Sequence, residues 1–144
     1  MHEVYLSLGS NQGDREQLLN RAVRLIDERV GEVTRQSSIL ETEPWGFQSD
    51  HKFLNAAVCC QTEKTPREVL LLTQQIERDL GRHKDVNCKS PNRQYVDRPI
   101  DIDILLYDDW KVNEPDLKIP HPLMRQRDFV MIPLKEIMTK DTNP

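Results

Sequence analysis

Cysteine is scarce in this chain of 144 residues, which contains only Cys59, Cys60 and Cys88. Their number is odd, and no two of them have the C-x-x-C spacing that is typical of zinc sites and redox motifs. Cys59 and Cys60 are neighbours, so in a strand their side chains would face opposite sides. The cysteines therefore indicate neither a zinc site nor a redox site, and we expect a reduced, cytoplasmic protein.

Long apolar runs and an excess of positive charge are also missing. No segment approaches the ~18 apolar residues of a membrane-spanning helix, and no apolar signal region follows Met1. The net charge of −4 argues against a general nucleic-acid or membrane-surface binder. With 37% hydrophobic and 31% charged residues, the composition is typical of a soluble globular protein. We expect one domain over residues 1–144, a monomer by default, with neither nucleic acid nor membrane as partner.

The glycines form no standard phosphate-binding motif. Gly9 and Gly13 lie in the segment 8–14, between a predicted strand and a predicted helix. This segment lacks the Lys-Ser/Thr of a P-loop and the third glycine of a Rossmann fingerprint. It predicts a tight turn in which Gly9 permits close approach to the backbone. If the chain binds ATP, it does so with another architecture.

Strand and helix patterns follow each other in the order β-α-β-β-α-β. Apolar alternation predicts strands over residues 3–8, 33–41, 53–62 and 98–107. Helical spacing and capping residues predict one helix from Asp14 to about Val30 and a second between Thr65 and Gly81. This is the ferredoxin-like α+β pattern, an antiparallel sheet with helices on one face, here followed by a C-terminal extension. The opposite face of such a sheet is free for a ligand.

Strand alternation predicts which side chains share that open face. In the last strand, the isoleucines should pack on the helices and Asp101 and Asp103 should face the open side. In the third strand, Leu54, Ala56 and Val58 should face the helices, which leaves Phe53, Asn55 and Ala57 on the open side. A ring, an amide and two carboxylates would then lie on one surface.

Asp101 and Asp103 are the strongest indication of function. As residues i and i+2 of one strand, they lie roughly 6.6 Å apart and point the same way. Two carboxylates so placed repel each other unless a cation lies between them. A solvent-exposed acidic strand face is the simple alternative, and for an isolated D-x-D it is the better explanation. The cations that precede the pair favour metal-assisted chemistry instead.

The polar stretch from Arg82 to Arg98 supplies those cations and leads directly into the acid strand. Guanidinium groups beside a metal-binding acid pair suit a polyphosphate, which needs forked donors and charge neutralisation. A solvated loop is the alternative, but connections of this length are usually functional or disordered. The position of the loop before the acid strand favours a functional role.

Aromatic rings and an amide indicate a second ligand. Asn55 is polar within an otherwise apolar strand, and together with Phe53, Trp45 and Phe129 it suggests a slot for a flat, nitrogen-rich molecule. A polar residue on an open sheet face is the alternative for Asn55. His121 lies between two prolines in a stiff, extended backbone, although a lone histidine is more often structural than catalytic.

Seven short stretches occur together in the order typical of one enzyme family: 8–11 (LGSN), 41–46 (ETEPWG), 53–58 (FLNAAV), 76–82 (IERDLGR), 98–105 (RPIDIDIL), 119–122 (IPHP) and 127–129 (RDF). Each is weak alone, but RPIDID followed by IPHP is specific. On these stretches the chain resembles the 6-hydroxymethyl-7,8-dihydropterin pyrophosphokinases of folate biosynthesis. The resemblance implies transfer of the β,γ-pyrophosphoryl unit of ATP to the hydroxymethyl oxygen of the pterin, with release of AMP.

The resemblance also implies a role for each matched residue. Asp101 and Asp103 match the acids that hold two Mg²⁺, and Arg82 and Arg98 match loop arginines that act in catalysis and contact ATP. The other implied ATP contacts are Gln74, Glu77, Lys84, Ile104, His121 and Arg127. The implied pterin site comprises Thr42, Glu43, Pro44, Trp45, Phe53, Asn55, Tyr95, Asp101 and Phe129, with the two phenylalanines on either side of the ring.

The chain departs from the family pattern just before the acid strand. It reads Tyr95-Val-Asp-Arg98 where Trp-Gly-Pro-Arg is common, after a longer loop, and Tyr95 would take the covering role of the tryptophan. The loops 43–52 and 82–97 are expected to close over the ligands and exclude water. Two other classes stay open: a non-catalytic module that senses a small ligand, and a metal-dependent nuclease, which the acidic net charge disfavours.

Overall fold

The computed structural model describes residues 1–42, 52–81 and 99–138. The main sheet consists of β1 (His2–Ser10), β2 (Glu32–Gln36), β3 (Leu40–Thr42), β4 (Phe53–Thr62) and β5 (Asp101–Tyr107). The helices are α1 (Arg15–Arg29), α2 (Pro66–Asp79) and α3 (Asp128–Ile137), and β6 (Val112–Glu114) and β7 (Leu117–Ile119) form a separate hairpin. The predicted ferredoxin-like α+β order with a C-terminal extension is confirmed. None of the helices in these ranges is long and apolar enough to cross a membrane.

The strands of the main sheet pair in the order β2-β4-β1-β5, all antiparallel, and β3 also pairs with β4. The sequence predicts one strand over 33–41, whereas the structure has β2 and β3 with a break at residues 37–39. The hydroxyl of Ser37 accepts the N–H of Ala57 at 2.9 Å, and the N–H of Ser38 turns away to the carboxylate of Glu136 at 3.0 Å. The N–H of Ser37 still donates to the carbonyl of Ala57 at 2.9 Å, and side-chain hydrogen bonds replace the rest of the ladder at this point.

Both predicted helix starts are present. The Asp14 side chain accepts the N–H of Gln17 at 3.1 Å. Thr65 and Glu68 form a full capping box, in which each side chain accepts the backbone N–H of the other, at 3.1 and 2.9 Å. Gly81, just beyond α2, has φ +124, a conformation that favours glycine. Local sequence therefore fixes where these helices begin and where α2 ends.

The sheet is covered on both faces, but unequally. The helices α1 and α2 pack on one face against a core that includes Leu6, Leu8, Val58, Ile102 and Ile104. The helix α3 packs on the other face against a second core, which includes Tyr5, Ala57, Cys59, Leu105 and Leu134. Cys60 belongs to the first core and Cys59 to the second, so the two face opposite sides as predicted.

The C-terminal extension therefore covers part of the face that the sequence predicts to be open. Of the side chains on that face, Phe53, Asn55, Asp101 and Asp103 lie outside the second core. The candidate site occupies this end of the sheet, beyond α3.

Candidate active site

A row of three paired residues crosses the strands β4, β1 and β5 near one end of the sheet. Asn55 of β4 and Asp101 of β5 both pair with Gly9 of β1, from opposite sides. Directly paired residues point to the same face, and neighbouring strands lie about 4.8 Å apart, so Asn55 and Asp101 are separated by about 10 Å. An amide and a carboxylate thus flank a glycine on one surface, as the alternation predicts.

The acid pair also lies where the alternation predicts. Asp101 and Asp103 are half-exposed, whereas Ile102 and Ile104 are buried in the helix-side core. Asp103 pairs with Ser7, two residues along the strands from the pair of Asp101 and Gly9 and therefore on the same face. The two carboxylates therefore project from neighbouring rows of one face, where a single ligand can meet both.

Within the described residues, no group of three or more His, Cys, Asp or Glu side chains is arranged to hold a metal ion. Mg²⁺ does not require such a group, because it keeps several waters and binds through one or two carboxylates plus substrate phosphates. Two oxygen-donor side chains on one face, as in Asp101 and Asp103, fit this ion. They do not fit a structural zinc site, which needs four nitrogen or sulfur ligands.

Gly9 leaves a depression between the amide and the carboxylate. A Cβ at this position would lie 3.3 Å from Oδ1 of Asn55 and 3.5 Å from Cδ1 of Phe53. The Phe53 ring and the Asn55 amide thus stand beside bare backbone. The edge of a flat molecule can approach this backbone to van der Waals distance, which a larger residue than glycine would prevent.

Asn55 is fixed by hydrogen bonds to β3. Its Nδ2 donates to Oγ1 of Thr42 at 2.7 Å and to the carbonyl of Leu40 at 3.3 Å. The residue is 2% exposed, and its Oδ1 lies on the Gly9 side. Thr42 therefore orients the amide, and the acceptor oxygen of Asn55 is directed at the depression.

A β-bulge connects His121 to the acid strand. The pairing of β1 with β5 shifts between Tyr5 and Leu6, which makes Leu105 an extra residue in β5. The carbonyl of Leu105 accepts the N–H of His121 at 3.0 Å. The segment after β7 is thereby attached to β5, and it brings the imidazole into the field of the Asp101 carboxylate.

The environment of His121 favours the neutral ring with its proton on Nε2. The N–H of Leu123 donates to Nδ1 at 3.3 Å, so Nδ1 is the acceptor nitrogen. Burial lowers the pKa of His121, and the carboxylate of Asp101 partly opposes this shift. A neutral imidazole in this state donates from Nε2, which suits a phosphate oxygen.

Arg127 and Phe129 approach the same face from the start of α3. Arg127 is 5% exposed, and its guanidinium carbon lies 5.8 Å from the centroid of the Phe129 ring. Burial lowers the pKa of Arg127, although an arginine stays charged. Phe129 is half-buried against the second core. A buried cation favours an anion beside it, so this pair can contact both a ring and a phosphate.

Of the residues predicted on the nucleotide side, Glu77 is the best defined. It is 5% exposed, and its Oε2 accepts the N–H of Ile102 at 2.7 Å. This bond lies on the outer edge of β5, away from β1. The side chain of Ile104 is buried in the core, but its backbone, two residues on, faces the same outer edge and can meet a ligand there. Gln74 is exposed on α2.

Seven predicted site residues lie outside the described ranges: Glu43, Pro44, Trp45, Arg82, Lys84, Tyr95 and Arg98. Their roles and the expected closure of both loops stay predictions. Among the described residues, Thr42, Phe53, Asn55, Asp101 and Asp103 meet on one end of the sheet. Sequence reasoning missed the bulge at Leu105, which no local pattern indicates. It noted Gly9 as a position of close approach but not its place between Asn55 and Asp101.

A protein-family model for 7,8-dihydro-6-hydroxymethylpterin-pyrophosphokinase (HPPK) matches residues 5–139. The chain belongs to this family. A protein of Porphyromonas gingivalis named 2-amino-4-hydroxy-6-hydroxymethyldihydropteridine pyrophosphokinase is 53% identical over 135 residues, 93% of this chain and 89% of that protein. A Bacillus subtilis protein of the same name is 44% identical over 93% of this chain and 77% of its own length.

Solved structures share the HPPK fold of this chain. A crystal structure of an HPPK-DHPS in complex with substrates superposes with a TM-score of 0.73 over 94% of this chain, at 15% identity. The wild-type HPPK-DHPS of Plasmodium falciparum gives a TM-score of 0.70 over 95% of this chain, at 16% identity. The chain spans 40% of the length of each of these chains. At this identity the likeness shows the fold alone.

Proposed function

We propose that this HPPK-family chain transfers the diphosphate of ATP to 6-hydroxymethyl-7,8-dihydropterin in folate biosynthesis, with release of AMP. The observation that carries the proposal is the row Asn55–Gly9–Asp101, with Asp103 beside it. It combines an amide acceptor, a bare backbone floor and two carboxylates on one surface. A flat heterocycle with a reactive arm fits the floor, and a metal-bound polyphosphate fits the acids.

The reaction joins the hydroxymethyl oxygen of the pterin to the β-phosphorus of ATP. The bond between that phosphorus and the oxygen bridging to the α-phosphate breaks, AMP leaves with the oxygen, and the hydroxyl proton is lost to solvent. Asp101 and Asp103 would hold two Mg²⁺, which would supply charge neutralisation and polarisation of the attacking hydroxyl. No strong side-chain base is then required.

The pterin would bind at the Gly9 depression. Phe53 and Phe129 would stack on its two faces, and Oδ1 of Asn55 would accept a hydrogen bond from its edge. Thr42 holds the Asn55 amide for this contact through the 2.7 Å bond. Glu43, Pro44, Trp45 and Tyr95 would complete the slot, as the family resemblance implies.

The triphosphate would extend from the acid pair toward His121 and Arg127. A neutral Nε2–H and a guanidinium are both donors to phosphate oxygens, and Arg82, Lys84 and Arg98 would add positive charge. Gln74 and the backbone of Ile104 would contact the nucleoside. Glu77 would contact the nucleotide while its Oε2 still accepts the N–H of Ile102.

The same proposal covers the whole chain as one pyrophosphokinase domain over residues 1–144. A monomer in the cytoplasm, with ATP and a reduced pterin as its only partners, is the simplest arrangement. The free thiols of Cys59 and Cys60 support a reducing compartment.

The decisive experiment mixes the protein with ATP, Mg²⁺ and the reduced pterin and identifies the nucleotide product. AMP together with the pterin diphosphate supports the proposal. ADP would indicate an ordinary kinase, and unchanged ATP would favour the ligand-sensing module. Omitting Mg²⁺ in a parallel sample, with a chelator present, should abolish AMP formation.

A further inference from the structure

Arg15 joins the beginning of α1 to two strands at the edge of the candidate site. Its Nη1 donates to Oε2 of Glu41 at 3.0 Å and to the carbonyl oxygen of Lys52 at 2.9 Å. Glu41 is the middle residue of β3, and Lys52 immediately precedes β4. One guanidinium nitrogen therefore connects a helix and the ends of two strands.

The connected strand ends carry residues of the proposed pterin slot. Thr42 follows Glu41, Phe53 follows Lys52, and the two pair with each other. Thr42 orients the Asn55 amide, and the Phe53 ring borders the Gly9 depression. A shift of either strand end would move the amide or the ring that is proposed to bind the substrate.

The position of Arg15 is not explained by the helix that contains it. It is the first residue of α1, where a cation meets the positive end of the helix dipole and is unfavourable. The Asp14 cap fixes the first turn, so the arginine backbone is held while its side chain reaches the strands. The two charge-assisted hydrogen bonds of its guanidinium, to Glu41 and to Lys52, offset the unfavourable interaction with the helix dipole.

The strand β3 needs such a connection because it is only three residues long and pairs with β4 alone. Short edge strands are weakly held by their own ladder. The Arg15 bonds fasten this strand next to Thr42, at the end that borders the site. Glu41 and Arg15 are both partly exposed, so the pair contributes more to geometry than to overall stability.

We propose that Arg15 is a positioning residue for the pterin, which holds Thr42, Phe53 and Asn55 in their binding geometry without touching the substrate. This inference rests on the proposed function. Because nucleotide contacts lie on β5, α2 and the segment around His121, Arg15 should affect the pterin and not ATP. That separation distinguishes a positioning role from a general structural one.

The test measures steady-state kinetics of AMP formation in the wild type, Arg15→Ala, Arg15→Lys and Arg24→Ala. Arg24 is an exposed arginine on the same helix and serves as the matched control for lost charge. We expect Arg15→Ala to raise the KM for the pterin about three- to tenfold. We expect the KM for ATP and kcat to stay within about twofold of the wild type. Arg15→Lys should restore most of the pterin affinity, because an ammonium can donate to both oxygens.

An unchanged pterin KM in Arg15→Ala, or an equal rise in both KM values, would overturn the inference. An Arg24→Ala variant with the same defect would overturn it as well. If Arg15→Ala does not fold, Glu41→Gln takes its place and should raise only the pterin KM. A wild type that forms no AMP would overturn the proposed function and with it this inference. An active wild type with an unaffected Arg15→Ala would overturn this inference alone.

Discussion

Replacing Gly9 by alanine adds one methyl group to the floor between Asn55 and Asp101. The new Cβ would lie 3.3 Å from Oδ1 of Asn55 and 3.5 Å from Cδ1 of Phe53. The distance to Phe53 is an ordinary van der Waals contact, whereas Oδ1 of Asn55 must give by a few tenths of an ångström against the bonds that hold its amide. Gly9 does not have a positive φ, unlike Gly13 and Gly81, so alanine is compatible with its backbone.

The structure predicts a large effect on the substrate and a small one on stability. Replacing glycine by alanine at a compatible position raises the free energy of unfolding by about 0.4–1 kcal/mol, because alanine reduces the conformational entropy of the unfolded chain. This gain offsets the cost of the close contact with Asn55. The methyl carbon projects about 1.5 Å from Cα and would displace the edge of a ring held between Phe53 and Phe129 by on the order of 1 Å. A displacement of that size costs about 100-fold in rate, or about 2.7 kcal/mol.

The assay compares kcat/KM for the pterin, KM for ATP and the melting temperature in Gly9→Ala and Gly31→Ala. In Gly31→Ala the added Cβ would lie 2.1 Å from the backbone oxygen of Gln61, far from the site, so the backbone must shift. Gly31→Ala should therefore have a lower melting temperature and an unchanged pterin KM. Gly9→Ala should keep its melting temperature and lose kcat/KM for the pterin. A Gly9→Ala enzyme within about threefold of wild-type kcat/KM would refute the pterin location proposed here.

Three further predictions follow from single contacts. Asp101→Ala and Asp103→Ala should each lower AMP formation by at least about 100-fold without loss of melting temperature, because one of two repelling carboxylates is removed. Full activity in either variant would contradict the metal proposal. Thr65→Ala should lower the free energy of unfolding in urea by about 1 kcal/mol with normal kinetics, and Thr65→Ser should retain it. The pKa of His121 lies below its ordinary value of 6.5 in the folded protein, so the unfolded chain binds more protons in acid. The contribution of His121 to the free energy of unfolding should be fully present above the unfolded pKa of 6.5 and should be lost as the pH falls from there toward the folded pKa. His121→Asn should flatten this slope in urea unfolding measured from about pH 7 downward, and an unchanged slope would contradict the assignment.

Sequence predicted the parts of the fold that local patterns determine. The capping box at Thr65 and the cap at Asp14 fix the helix starts with residues only three apart, so no tertiary partner is needed to recognise them. The outward direction of Asp101 and Asp103 follows from alternation within one strand. The same holds for the face of Asn55, which was predicted correctly although the residue is almost fully buried.

Register and packing across the sheet could not be predicted from local patterns. The place of Gly9 between Asn55 and Asp101 depends on pairing among three strands that are far apart in the chain. A C-terminal extension was predicted, but the docking of its helix α3 on the open face depends on a second core that includes Tyr5 and Leu105. The break between β2 and β3 depends on Glu136, nearly a hundred positions beyond Ser38.

The acid strand is held on both of its edges, which explains how two repelling carboxylates keep a fixed direction. On the inner edge, β1 pairs with β5 from Gly9 to Val4. On the outer edge, the buried Glu77 accepts the N–H of Ile102, the residue between the two aspartates.

The bulge at Leu105 then directs a carbonyl to the N–H of His121, so the same strand also positions the imidazole. The relative positions of Asp101, Asp103 and His121 are therefore set by backbone contacts and by one helix carboxylate. Side chains placed on such a rigid element are held more precisely than side chains on a loop, so β5 is suited to present two carboxylates and an imidazole to one ligand.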